Sequence, residues 1–189
     1  MEINMVQKPI SEQESLLIQS HALMECIVKL GRLEEERGED FDFIRNTVYG
    51  QTARIIHDYN GRSVFQGQGS LLAALYLFLI IPIEWRKNKI GDFEKLDFTR
   101  AEKIADQVAC SIDNKYADSV LVHLRNALSH GRISWDNNCL VFEDREPWAR
   151  KGETKRHYRG QLSMADVGQI VQALNEAIIH YINSVIGGR

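Results

Sequence analysis

The sequence predicts an all-α protein: a helical bundle of about five to six helices with a small β-hairpin inserted before the last helix. Three observations carry this prediction. Apolar residues recur at helical spacing through most of the chain; serine-led cap signals at Ser11 and Ser163 open amphipathic runs; and a polar turn at Asp136, Asn137 and Asn138 separates two short β-favouring runs. No internal repeat, low-complexity tract or long linker divides the 189 residues, so residues 1–189 form one domain, with the hairpin and a basic loop inserted at about 132–160.

The first helix opens with Ser11 and Glu14, the spacing of a capping box in which two backbone N–H groups find side-chain acceptors. Its apolar positions include Leu16, Leu17, Leu23, Met24, Ile27 and Val28, and it runs to about Arg37 before Gly38. Glu34, Glu35 and Glu36 are consecutive and point in different directions, as a solvated face does. A second helix is expected over Phe41 to Asp58, followed by a turn at Asn60 and Gly61. The Gly67–Gln68–Gly69–Ser70 segment lacks both the third glycine of a dinucleotide loop and the Lys-Ser/Thr pair of a P-loop, and is read as a loop and helix start.

From Leu71 to Ile83 the chain is apolar apart from Tyr76, and Pro82 interrupts it. A membrane-spanning helix needs about 20 such residues, so this run is expected to be the most buried helix of a soluble core. The next helix starts near Thr99, with Ala101, Ile104, Ala105 and Val108 on one face, and is expected to end between Ser111 and Asn114.

A further helix is expected from Lys115 to His130, stopped by Gly131. At 100° per residue, Ala117, Leu121, Leu124 and Leu128 form a core-facing stripe, whereas His123, Asn126 and His130 form a polar row on the far side. That row is expected at or beside a two-fold interface between subunits. The hairpin follows, running from Arg132 to Phe142. Between Arg145 and Arg159, six cations (Arg145, Arg150, Lys151, Lys155, Arg156 and Arg159) face two carboxylates (Glu146 and Glu153), with Trp148, His157 and Tyr158 interleaved. This mixture suits phosphate contact and base stacking, so Arg150, Lys151, Lys155, Arg156 and Arg159 are candidate RNA-binding residues. The final helix is capped by Ser163 and Asp166 and carries Val167, Ile170, Val171, Leu174, Ile178, Ile179 and Ile182 on its apolar face.

Composition excludes several classes of function. The formal charge of -3 means that any site for a polyanion must be local. Cys26, Cys110 and Cys139 are odd in number and widely separated, which fits a reducing, cytoplasmic location and neither a disulfide framework nor a zinc site. The first nine residues lack the pattern of a secretory signal, and no membrane association is expected. The Gly-x-Ser-x-Gly elbow of a serine hydrolase is absent. No two histidines are three or four residues apart, so no metal site is expected; His21, His57 and His180 each stand alone on a helix.

The remaining constellation is Arg125–Asn126–Ala127–Leu128–Ser129–His130, at the end of an amphipathic helix. It resembles the Arg-x4-to-6-His motif, often with a polar residue after the Arg, of the HEPN (higher eukaryotes and prokaryotes nucleotide-binding) superfamily. The resemblance rests on six residues, although in outline it covers most of the chain. It implies a metal-independent endoribonuclease acting as a homodimer without a cofactor, of the kind found in bacterial toxin–antitoxin and antiviral systems. It makes Arg125 and His130 the catalytic pair, places Asn126 at the frequent polar position, and leaves His123 as a neighbour. Toxin members paired with a nucleotidyltransferase antitoxin have a Tyr two residues after the His. Here that position is Arg132, so an antitoxin protein, if present, would not act through that Tyr.

The chemistry has its own physical sense. Metal-independent RNA cleavage needs a base for the 2′-hydroxyl proton, an acid for the departing 5′-oxygen and positive charge at the phosphorus. Histidine, with an ordinary pKa of about 6.5, can do the proton work, and the arginine fork can hold two phosphate oxygens. Five residues turn a helix by about 500°, so Arg125 and His130 lie about 140° apart; either the Arg side chain wraps toward His130, the helix loosens at Gly131, or the pair forms across two subunits, the arrangement the polar row favours. The competing reading is a non-catalytic module that binds nucleotides, RNA or a protein through the same surface.

Overall fold

The computed structural model describes residues 10–37, 68–88, 93–114, 118–145 and 157–186. The helix expected over Phe41 to Asp58 and the turn at Asn60 and Gly61 lie outside the described residues. Five helices and a four-stranded antiparallel sheet are described: α1 (Glu12–Glu36), α2 (Gln68–Lys87), α3 (Thr99–Val108), β1 (Cys110–Asn114), α4 (Val120–Ser129), β2 (Ile133–Asp136), β3 (Cys139–Arg145), β4 (His157–Ser163) and α5 (Met164–Tyr181). The bundle forms as expected, and the hairpin is one part of a larger sheet.

Local signals set both end helices. Ser11 accepts from the Glu14 N–H while the Glu14 carboxylate accepts from the Ser11 N–H, and Ser163 and Asp166 repeat this arrangement at α5. Such caps contribute about 1 kcal/mol each. Glu14 is 1% exposed and also accepts from the Tyr181 hydroxyl at 3.3 Å, so the start of α1 is tied to the end of α5. His21 meets Asn175 at 2.8 Å along the same pair of helices, which gives it a structural role.

The apolar run from Leu71 lies within one continuous 20-residue helical stretch, which reaches by length and composition what a membrane crossing requires. Its Ala74, Leu75, Phe78 and Leu79 are 0–1% exposed and belong to the hydrophobic core. The middle, Tyr76–Ile80, is a π-helical turn in which the Ile81 N–H reaches the Tyr76 carbonyl. Pro82 supplies the reason: it has no N–H for the next helical bond, and widening one turn relieves its ring.

Two boundaries differ from expectation. The helix beginning at Thr99 ends at Val108, and Cys110–Asn114 is strand β1, paired with β4. α4 starts at Val120 rather than Lys115, because the Asp106 carboxylate of α3 accepts its first N–H at 2.7 Å. His157–Gly160, expected within the basic loop, belongs to strand β4, and His157–Ser163 pairs along the whole of β3.

The strand order is β1-β4-β3-β2. In β3 and β4 side chains alternate between faces: Leu140, Phe142, Tyr158 and Leu162 are 0–1% exposed, and Val141, Glu143, Arg159 and Gln161 lie on the more open face. Asn137 and Asn138 have φ of 47° and 64°, the left-handed values that a two-residue hairpin turn between Asp136 and Cys139 requires. Gly160 pairs with Phe142 across the strands, and a Cβ there would fall 2.5 Å from the Phe142 ring and 2.8 Å from that of Tyr158. A glycine is therefore what lets both rings fill the space above β4.

Candidate active site

α4 carries the motif and is covered on two sides. Leu121, Leu124, Ala127 and Leu128 are 0–2% exposed and join the core shared with the other helices. The polar row expected on the far side meets the sheet of the same chain. His123 is only 3% exposed; its ring stacks on Tyr158 with centroids 4.2 Å apart and planes 5° apart. Within the row, β3 and β4 of the same chain cover His123 and engage Asn126, whereas His130 is exposed.

Asp144 organises this layer. It follows Leu140 and Phe142 on the inward face of β3, at the end of the strand beside α4. Its Oδ2 accepts from His123 Nδ1 at 2.9 Å and from Asn126 Nδ2 at 2.9 Å. A carboxylate only accepts, so the Asn126 amide must present its NH2 to Asp144 and turn its carbonyl oxygen away. That oxygen accepts from Arg125, through Nε at 3.1 Å and also through Nη2. The chain of contacts runs His123, Asp144, Asn126, Arg125, and ends on the guanidinium.

Arg125 is half-buried and lines a groove of about 700 Å³ with residues of α2, α3 and the turn at Phe93–Lys95. Two of its five N–H groups go to Asn126; among the described residues the others have no protein partner. Also in this groove, Asp97 accepts from the Thr99 hydroxyl and N–H, which holds its carboxyl below the ordinary carboxylate value; the Arg86 charge adds to the effect.

His130 is the C-cap of α4 and is exposed. Gly131 follows with φ of 63°; its N–H reaches the Leu128 carbonyl at 3.1 Å, and the Arg132 N–H reaches Ala127 at 2.8 Å. This is the paired hydrogen bonding of a Schellman stop, which leaves the imidazole at the negative end of the helix dipole. Arg132 at the Tyr position donates to the Arg145 carbonyl at 2.7 Å and ties the helix end to β3. It also lines a smaller groove of about 420 Å³ with Gly131, Glu143, His157 and Arg159, where His157 Nε2 meets Glu143 at 2.7 Å.

Of the candidate residues, Arg125, Asn126 and His123 are thus joined by contacts, whereas His130 stands apart at the helix end. Arg159 is exposed on β4; Arg150, Lys151, Lys155 and Arg156 lie outside the described residues. Asp144 was missed by sequence reasoning, and Tyr158, expected among the basic residues as a base-stacking aromatic, is instead buried against His123. The signal for Asp144 was the strand period, which places positions 140, 142 and 144 on one face.

A helical core whose motif helix ends in Arg-x4-His defines the HEPN class of domain. The family model described as HEPN pEK499 p136 matches residues 32–184, more than half of the chain, and the chain belongs to this family. By class it is a nucleotide-binding or ribonuclease-like module. Neither the curated proteins nor the solved structures contain a match.

Proposed function

We propose that this chain is a metal-independent endoribonuclease that works as a homodimer. The observation that carries the reading is the fixed guanidinium of Arg125, held by an Asn126 amide that Asp144 orients, on the same helix that ends in the exposed His130. Preorganised positive charge of this kind lowers the energy of a pentavalent phosphate without reorganisation during the reaction.

The 2′-oxygen of the RNA attacks its adjacent phosphorus and gives its proton to one His130. The bond from phosphorus to the 5′-oxygen breaks, and a second His130, protonated, gives that oxygen its proton. The products are a 2′,3′-cyclic phosphate and a 5′-hydroxyl. Helix geometry sets Arg125 and His130 about 140° apart within one subunit, and this separation favours pairing across a dimer. A toxin or antiviral role in the cytoplasm, under the control of an antitoxin protein, is the setting that suits such an activity. Arg150, Lys151, Lys155, Arg156 and Arg159 are proposed to contact the RNA backbone.

The same separation also favours a second reading, a non-catalytic module that binds RNA, nucleotide or protein. Incubation with mixed RNA in excess EDTA, beside Arg125→Ala/His130→Ala, separates the two. Cyclic-phosphate ends made only by the parent protein support the nuclease. No cleavage across several RNA classes supports the binding module, and equal cleavage by both proteins removes the motif from the reaction.

A further inference from the structure

The groove that Arg125 lines is cationic in a chain whose net charge is -3. Arg86 and Lys87 come from the last turn of α2, Lys95 from the turn that follows, and Arg125 from α4. Three separate elements therefore deliver four positive side chains to one concave surface. Like charges converge at an energetic cost unless an anion sits among them.

The groove's two acidic groups, Asp97 and Glu102, offset only half of this charge. Asp97 is engaged by Thr99, and Glu102 is the other carboxylate of the lining. Lys87 pairs with Glu84 at 3.2 Å, outside the lining. Among the described residues no carboxylate lies within 4 Å of the charged nitrogens of Arg86, Lys95 or Arg125. Arg86 and Lys95 are exposed, so a ligand can reach them, and Leu121 and Val122 add apolar surface to the lining beside Arg125. The groove's size, about 700 Å³, lies within the range of small-ligand sites, roughly 300–1,000 Å³. Positive rim and apolar floor together suit a phosphodiester chain whose sugars and bases lie against a non-polar surface.

We infer that this groove is the track for the RNA strand next to the scissile phosphate, with Arg86 and Lys95 holding phosphates that flank the one at Arg125. The inference rests on the ribonuclease reading for its direction, and it assigns a binding role to residues that lie up to 39 positions upstream of the motif. The contact is to the backbone, so it carries no base preference.

The test uses the full chain and a fluorescent single-stranded RNA of mixed sequence, 2′-O-methylated so that it cannot be cleaved. Binding is measured by anisotropy across a salt series for the parent, Arg86→Gln/Lys95→Gln, and the charge-matched control Lys29→Gln/Lys103→Gln. Each lost phosphate contact on a single strand flattens the slope of log K against log salt by about 0.7, so the groove variant should lose about 1.4 and bind at least about tenfold more weakly. The control should retain the parent's slope. Equal slopes for the two double variants overturn the inference. So does displacement of the oligonucleotide by adenosine monophosphate at the oligonucleotide's own affinity, which would mark a mononucleotide pocket. Because the probe cannot react, absence of cleavage in the separate nuclease assay removes the proposed activity and leaves this result standing on its own.

Discussion

Asp144 on β3 accepts a hydrogen bond from Asn126 on α4, 18 residues earlier in the chain, at 2.9 Å. The contact fixes which end of the Asn126 amide faces Arg125, and it joins the sheet to the motif helix. Asp144 thereby sets the geometry of the guanidinium that is proposed to hold the phosphate.

Asp144→Ala should therefore have two effects. Loss of an acceptor shared by His123 and Asn126 should lower stability by about 1–3 kcal/mol in urea denaturation. In the cleavage assay kcat should fall more than KM rises, because Arg125 loses its orientation while the binding groove persists. Unchanged stability would show that the contact carries no weight.

His123 should respond in graded fashion. His123→Phe keeps a ring over Tyr158 and loses the bond to Asp144, a cost of about 1 kcal/mol. His123→Ala also loses the stack and should cost about 1 kcal/mol more. Thermal denaturation that ranked the two variants equal would deny the stacking any role.

Gly160→Ala should be destabilising by about 1–3 kcal/mol, since its methyl group would collide with the packed rings of Phe142 and Tyr158. The near-ultraviolet circular dichroism should change with it, reporting displaced aromatic rings. A variant as stable as the parent would mean that the rings move aside freely.

Gly131→Ala places a side chain at φ of 63° and should cost about 1 kcal/mol, with Gly131→Asn costing less. There is open space around that position, so the penalty is conformational and not steric crowding. Equal denaturation midpoints for all three proteins would argue against the left-handed stop.

Asp97 supplies a pH dependence. Its folded-state pKa lies below the unfolded value of about 3.9, so its stabilisation is present above that pH and is lost as pH falls through the lower folded value. The stability gap between the parent and Asp97→Ala should be level from about pH 5 to 8 and close below about pH 4. The side chain is almost fully exposed, so the gap is small. A gap that widened on acidification would reverse the assignment.

Much of the fold could be read from neighbouring residues. Ser11 with Glu14, and Ser163 with Asp166, mark helix starts because both partners lie within one turn. Gly131 marks a stop, and Asn137–Asn138 marks a hairpin, because backbone handedness is decided at those residues themselves. β1 was read as the tail of a helix because five residues after Val108 carry little periodicity of their own, and their strand state depends on β4, about 50 positions away. The start of α4 was misplaced for a similar reason: Asp106 on another helix supplies the cap.

The sequence by itself determined the helical class, the caps, the hairpin and the Arg125–His130 motif, since each depends on residues within about one or two turns of chain. Tertiary structure alone decided that His123 and Asn126 meet the sheet of their own chain and that Asp144 orients the amide beside Arg125. It also decided that Arg86 and Lys95 line the same groove as Arg125. A helix wheel gives the direction in which a side chain points but not what is packed there; that depends on strand register and helix packing, which bring together residues that local periodicity cannot relate.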